Sequence, residues 1–159
     1  MGQDAILRTG LYPVQLPQDN VKIHLYFIGR PKDPHANSLA ADFAARASRY
    51  AVTEMREIRP ERLDPWARHP AARKILCDPA GKPVDSPGFC ALIAAAEREG
   101  RDLVFLVGGH DGLPPEWRER DGLLLSLSPL TFPHELARAV LAEQIYRAFA
   151  SLRGHPYPR

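Results

Sequence analysis

The chain contains 159 residues, 45% of them hydrophobic and 25% charged, and its formal net charge is +2 at pH 7. This length fits one domain with a substantial core, and so small a net charge permits an RNA partner but does not by itself indicate one. Because no run approaches the roughly 20 apolar residues of a membrane span and no signal-peptide pattern is present, we expect a soluble, cytoplasmic protein.

The chain divides at residue 21. Residues 1–20 have no helical or strand periodicity and carry two prolines, so they are predicted to be a disordered N-terminal extension. Residues 21–159 are predicted to be one domain. It opens with the strand "VKIHLYFIG", in which apolar residues alternate with Lys22, His24 and Tyr26 up to Gly29.

A helix and two short strands follow. In "SLAADFAARASRY", Leu39, Phe43, Ala47 and Tyr50 share one helical face, and "VTEMREI" is a weak strand. The stretch 59–73 holds three prolines, which predicts a loop with at most a short helix. "KILCD" is predicted to be a third strand, and "PAGKPVDSPG" a turn.

Helices and strands also follow one another in the second half of the sequence. Ser86 is predicted to cap a helix that has Pro87 in its first turn and ends at Gly100. "DLVFLVG" is apolar almost throughout, as expected of a strand covered on both faces, and "GLLLSLS" is a further strand. The last helix is predicted from Phe132 to Arg153. Its apolar stripe comprises Leu136, Val140, Leu141, Ile145, Ala148, Phe149 and Leu152.

Strands that alternate with helices predict an α/β fold with a mostly parallel sheet, and ligands of such sheets bind beyond the carboxyl ends of the strands. Two breaks in the sequence lie at such positions. Gly108 and Gly109 follow one strand and would let the backbone approach a ligand, while Thr131 and Pro133 precede the last helix. Each break also has a purely structural interpretation. The glycine pair could be a tight turn, and the segment with Thr131 and Pro133 could be the start of the helix.

The two cysteines, Cys77 and Cys90, lie in apolar contexts without the spacing of a metal site. They are predicted to be buried free thiols, with a disulfide or a metal site as the alternative.

Three stretches in the same order carry a resemblance to a known family: "LVFLVGGHDGL", "LSLSPLTFPHELARAVLAEQIYRA" and the terminal "GHPYPR". Together they resemble the ribosomal large-subunit pseudouridine N3-methyltransferases, the RlmH family of the SPOUT superfamily. The resemblance implies a knotted α/β methyltransferase fold with a C-terminal trefoil knot, S-adenosylmethionine as cofactor, and a homodimer without metal or membrane association. It also implies methylation of N3 of a pseudouridine in 23S ribosomal RNA, on the large subunit or the assembled ribosome.

The resemblance also implies a set of site residues. The cofactor site would comprise Cys77, Gly108, Gly109, Ser128, Pro129, Leu130, Thr131, Phe132 and Pro133. The substrate would be contacted by His134, Arg138, Arg147 and Arg159. The catalytic candidates are His155, Tyr157 and Arg138, the first two in a tail that would reach the active site of the other subunit.

The chain departs from the family pattern at three positions. Pro158 stands where the tail has a second histidine, His110 replaces a proline, and Cys77 replaces a leucine. Because Pro158 removes an imidazole, the alternative function is a weakly active or inactive S-adenosylmethionine-binding factor of the ribosome. A Rossmann-type oxidoreductase is disfavoured because no GxGxxG follows the first strand. Because Val21 matches the family's first residues, we also hypothesise that translation begins there, at a GTG codon.

Overall fold

A computed structural model describes residues 21–157 and contains a five-stranded sheet. The strands are β1 (Ile23–Ile28), β2 (Thr53–Ile58), β3 (Arg73–Pro83), β4 (Leu103–Val107) and β5 (Leu123–Ser126). The helices are α1 (Pro34–Ala47), the short α2 (Pro65–Arg68), α3 (Ser86–Glu99) and α4 (His134–Leu152), with a 3₁₀ turn at Pro115–Glu119. Every strand pair is parallel and the order is β2-β1-β4-β3-β5, which confirms the predicted α/β class.

The sheet is covered on both faces. On one face, α1, α3 and α4 enclose the larger core around Leu25, Phe105 and Phe149. On the other face, the connection after β2 and the 3₁₀ turn cover a smaller core that includes Tyr26, Leu106 and Trp117. His24 and Tyr26, the polar members of the alternating first strand, are therefore buried. Within the described part of the chain, no helix is long and apolar enough to cross a membrane.

Helix α1 packs through a different face from the one that the sequence predicts. Its buried residues are Ala36, Ala40, Ala44 and Ala47, whereas Leu39 is 47% exposed. Small side chains allow α1 to lie close against α4, so the contact face is centred on alanines rather than on the largest apolar residues. The prediction was right for Ala47 and wrong for Leu39, while Phe43 and Tyr50 lie half-buried at the border of the core.

Two predicted helix starts differ from those in the structure. The N-cap of α3 is Asp85 rather than Ser86, because the Asp85 carboxylate accepts a hydrogen bond from Gly88 N. The N-cap of α4 is Pro133, so this helix begins at His134 rather than at the predicted Phe132. The end of α3 at Gly100 is confirmed, and this glycine has the left-handed conformation with φ of 61°.

Strand β3 continues through half of the segment that was predicted to be a turn. Cys77 and Lys82 both align with Leu125 of β5, so residues 78–81 bulge out of the ladder before pairing resumes. At Gly81 a Cβ atom would lie 2.5 Å from Leu125 N, which explains why a glycine stands there. The bulge carries Asp78 to the carboxyl edge of the sheet.

Candidate functional site

An open cleft of about 260 Å³ lies at the carboxyl edge of the sheet. Its walls come from the bulge within β3 and from the residues at and after the ends of β4 and β5, the two strands that flank β3 in the sheet. Of the predicted cofactor residues, those that line the cleft are Cys77, Gly108, Gly109, Ser128, Leu130, Thr131 and Phe132. Pro129 and Pro133 belong to the same loop but are not part of the lining. His134, predicted to contact the substrate, also lines the cleft.

The turn after β4 explains the glycine pair. Neither Gly108 nor Gly109 has a positive φ. A Cβ on Gly108 would lie 2.5 Å from the carbonyl carbon of Gly112, and one on Gly109 would lie 2.8 Å from Ile28 O. Both glycines are therefore required by close approach of the backbone within the protein, and Gly112 N closes the turn by donating to Gly109 O at 3.0 Å. Their contact with a ligand stays a prediction.

Cys77 forms an apolar part of the cleft wall. Burial, reinforced by the neighbouring Asp78 carboxylate, raises the pKa of its thiol to about 12. The thiol is therefore neutral near pH 7 and is a poor nucleophile. Cys77 and Cys90 are both free thiols, and both are partly buried rather than fully buried as predicted. The described residues contain no group of three or more His, Cys, Asp or Glu side chains placed to bind a metal ion.

The sequence did not reveal an ion pair in the cleft wall. Arg118, in the 3₁₀ turn, lies 2.5 Å from the carboxylate of Asp78. Asp78 is buried and also accepts a hydrogen bond from Ala80 N, whereas the Arg118 side chain is 49% exposed. The pair holds one guanidinium at the cleft. Forty residues separate its members, so no local sequence pattern indicates the pair.

The loop before α4 is shaped by its own serines. Ser126 Oγ donates to Ser128 O at 3.1 Å, and Ser128 Oγ accepts from Leu130 N at 2.9 Å. This turn presents Leu130 outward, where it is 72% exposed at the cleft. An apolar side chain of this size in a cleft wall is available for contact with a ligand.

Arg138 lies outside the cleft lining and is completely buried. Its guanidinium lies 3.9 Å from the ring centroid of Phe27 and donates to Ile28 O at 3.1 Å and Gly29 O at 3.4 Å. It also lies 3.9 Å from the carboxylate of Glu135. These contacts hold the end of β1 against the start of α4, while Arg138 Nε is buried and has no hydrogen-bond partner among the described residues.

The C-terminal tail folds back onto the middle of α4. Tyr157 OH donates to Glu143 Oε1 at 2.8 Å, and Arg147 donates to the same oxygen at 2.7 Å. Burial and the hydrogen bond to Glu143 raise the pKa of Tyr157, so its phenol stays protonated at neutral pH. His155 Nδ1 accepts from Tyr157 N at 3.1 Å, which leaves the proton of a neutral imidazole on Nε2.

The tail and the cleft of one subunit are separate. None of His155, Tyr157 and Arg147 is among the cleft residues. Glu143 follows His134 by nine positions on α4, a rise of roughly 14 Å along the helix axis. Pro158 and Arg159 lie outside the described residues.

A family model described as a predicted SPOUT methyltransferase matches residues 21–158, so the chain belongs to the SPOUT class of methyltransferases. Solved structures share the fold: one from Bacillus anthracis matches with a TM-score of 0.56 and 14% identity, covering 85% of this chain and 96% of that one. The SpoU methyltransferase AviRb from Streptomyces viridochromogenes matches with a TM-score of 0.52 and 15% identity, over 91% of this chain and 63% of its own.

Similar sequences identify the family within this class of methyltransferases. A ribosomal RNA large subunit methyltransferase H from Solibacter usitatus is 70% identical over 139 residues, which are 87% of this chain and 100% of the relative. A protein of the same name from Gemmatimonas aurantiaca is 37% identical over 86% of this chain and 99% of its own length. The chain belongs to the ribosomal RNA large subunit methyltransferase H family, which confirms the resemblance found in the sequence.

Proposed function

We propose that this protein transfers a methyl group from S-adenosylmethionine to N3 of a pseudouridine in the 23S RNA of the large ribosomal subunit. The observation that carries the proposal is the cleft at the carboxyl edge of the sheet, which gathers seven of the nine residues expected at the cofactor site. The relative from Solibacter usitatus, matched over its whole length, supports the ribosomal substrate. A ribosomal substrate also supports a cytoplasmic location.

The residues of the cleft fit the proposed cofactor. The neutral thiol of Cys77 and the exposed side chain of Leu130 offer apolar contact to a purine, and the glycine turn offers backbone groups without side chains. Arg118 offers one guanidinium, which suits the carboxylate of the methionine part. When bound, the cofactor supplies a methyl group that is already activated on a sulfonium sulfur.

The remaining task of the chain is to position the base and to help it lose the N3 proton. Of the tail side chains, His155 is suited to stabilising the deprotonated ring rather than to removing its proton, because it carries a donor on Nε2 in its neutral form. The one O–H proton of Tyr157 is donated to Glu143, so Tyr157 is better suited to fixing the tail on α4. Arg138, buried away from the cleft, is better suited to positioning the start of α4 than to contact with the base.

The proposed site includes residues of two subunits. Because the described tail residues do not reach the cleft of their own chain, they can act there only as part of a second copy. A two-fold homodimer satisfies this requirement, since the same pair of surfaces is used twice. We therefore include a homodimer in the proposal, with Arg147 and Arg159 among the substrate contacts.

Methyl transfer tests the function directly. The protein is incubated with labelled S-adenosylmethionine and ribosomes from a strain that lacks this methylation, and the modified nucleoside is identified by mass spectrometry. We expect N3-methylpseudouridine in the 23S RNA. The control is Ala137→Phe, which fills the cleft from a helical position and should abolish both cofactor binding and transfer. Cofactor binding in calorimetry without transfer would favour the inactive ribosome factor instead.

A further inference from the structure

We propose that Arg56, Arg59 and Arg62 form a second RNA-binding surface, which anchors the phosphate backbone of the substrate beside the cleft. The three arginines line a cavity of about 290 Å³ at the carboxyl end of β2, together with Glu57, Ile58 and Leu63. The inference rests on the proposed function in one respect, since it takes the partner to be ribosomal RNA.

The charge of this surface is not neutralised within the described part of the chain. Arg56, Arg59 and Arg62 are exposed and form no ion pair with any described residue. Six other arginines are paired with carboxylates: Arg46, Arg118, Arg120, Arg138, Arg147 and Arg153. The surface thus concentrates three free guanidinium groups against one lining carboxylate, Glu57.

The sheet places this surface next to the cleft. Strands β2 and β4 are both neighbours of β1 and run parallel to it, so the end of β2 lies two strand spacings, roughly 10 Å, from the end of β4. The intervening loop after β1 carries Arg30 and Lys32, which are exposed and also form no ion pair with a described residue. One edge of the sheet therefore carries the cleft and the free cations side by side.

The segment with Arg59 and Arg62 is held against the segment that supplies Arg118. Trp66 packs edge-on against Trp117 at 5.6 Å, and its indole Nε1 donates to Asp121 O at 2.7 Å. Arg120 pairs with Asp64 at 3.0 Å. The backbone that bears these arginines is thus ordered before RNA binds, so binding costs less conformational entropy than it would for a flexible basic loop.

The chemistry of the surface suits a phosphodiester backbone. A guanidinium binds phosphate oxygens with two parallel hydrogen bonds, and several such contacts confer affinity without sequence readout. The sequence readout would remain with the cleft and the tail. The surface would hold the stem of the RNA while the target base enters the cleft.

The test compares two double variants that remove the same charge. Arg59→Gln/Arg62→Gln changes the proposed surface, and Lys22→Gln/Arg98→Gln is the control at the opposite edge of the sheet, where both side chains are exposed. Binding to unmethylated ribosomes is measured by sedimentation at several salt concentrations, and cofactor affinity is measured by calorimetry. Duplex RNA and polyglutamate serve as competitors.

We expect the first variant to bind ribosomes more weakly, with a salt slope lowered by about 2, because each lost phosphate contact lowers it by about 1. Its cofactor affinity should equal that of the wild type, and the control should bind ribosomes as the wild type does. The proposal would be overturned if the first variant kept the wild-type salt slope, or if the control lost as much ribosome affinity as the first variant. It would also be overturned if polyglutamate competed for binding and duplex RNA did not. Because binding is read without turnover, ribosome binding by a protein that transfers no methyl would refute the proposed function and leave this surface intact.

Discussion

At the scale of single residues, Arg138 has two competing interpretations. The sequence places it in the first turns of α4 near the cofactor loop, which suggested a catalytic or substrate-binding role. The structure surrounds it with Phe27, two backbone carbonyls and Glu135. Burial lowers the pKa of its guanidinium. Because arginine is not deprotonated in proteins, Arg138 remains a cation that holds β1 to α4.

Arg138→Met should therefore reduce stability rather than only activity. We expect a loss of about 2–4 kcal/mol in the free energy of unfolding, because the carbonyl oxygens of Ile28 and Gly29 lose their charged donor. The variant Arg138→Lys should not have wild-type stability either, since an ammonium cannot reproduce the planar guanidinium over Phe27. Urea unfolding measures the change, with the exposed Arg49→Met as control. Wild-type stability with lost turnover would instead support the catalytic role.

At the scale of elements, the start of α4 is tied to the loop after β1. Glu135 accepts hydrogen bonds from Lys32 N at 2.5 Å, from Asp33 N at 3.1 Å and from Asn37 Nδ2 at 2.9 Å. These bonds lower the pKa of Glu135 from 4.5 to about 2. The contact replaces the missing side-chain cap of α4 as the feature that fixes where the helix begins.

The depressed pKa predicts a pH-dependent stability. The folded state favours the Glu135 carboxylate, so its contribution is fully present above the unfolded pKa near 4.5 and is lost as the pH falls towards 2. Glu135→Gln should be less stable than the wild type at pH 7, and the difference should shrink as the pH falls towards 3. Urea unfolding over this range measures it, and Glu99→Gln, at the exposed end of α3, is the control. A difference that does not change with pH would refute the assignment to Glu135.

At the scale of the whole molecule, the separation of tail and cleft predicts shared active sites. Tyr157→Ala damages the tail of a chain, and Ala137→Phe blocks its cleft. Ala137 is preferred to Gly109 for this purpose, because a Cβ on Gly109 would lie 2.8 Å from Ile28 O and would also strain the backbone. Each variant alone should be inactive in methyl transfer to ribosomes.

Mixed dimers of the two variants should recover activity, because one of their two sites combines an intact cleft with an intact tail. We expect up to about half of the wild-type rate per mixed dimer, following the count of restored sites under two-fold symmetry. Size-exclusion chromatography with light scattering verifies that the mixed species forms. If verified mixed dimers stay inactive, each subunit works alone.

Local patterns along the sequence were sufficient to predict the order of the elements and the place of the cleft. Apolar runs and prolines reflect local preferences of the chain, so β4, the loop with α2 and the end of α3 at Gly100 could be predicted from neighbouring residues alone. Parallel strands then require that the loops after them share one edge, which brought Cys77 and the glycine turn together with the loop before α4. The three stretches quoted from the second half of the sequence were sufficient to identify the family.

The contacts between distant residues could not be predicted in this way, because they depend on how the strands and helices pack. The Asp78–Arg118 pair depends on a bulge whose register is set by β5, and the alanine face of α1 depends on how closely α4 approaches. The burial of Arg138 and the docking of Tyr157 on Glu143 depend on packing between elements that no local pattern records. Side-chain roles of this kind follow from long-range contacts, because burial and charge pairing are properties of the assembled sheet and helices rather than of any short stretch of chain.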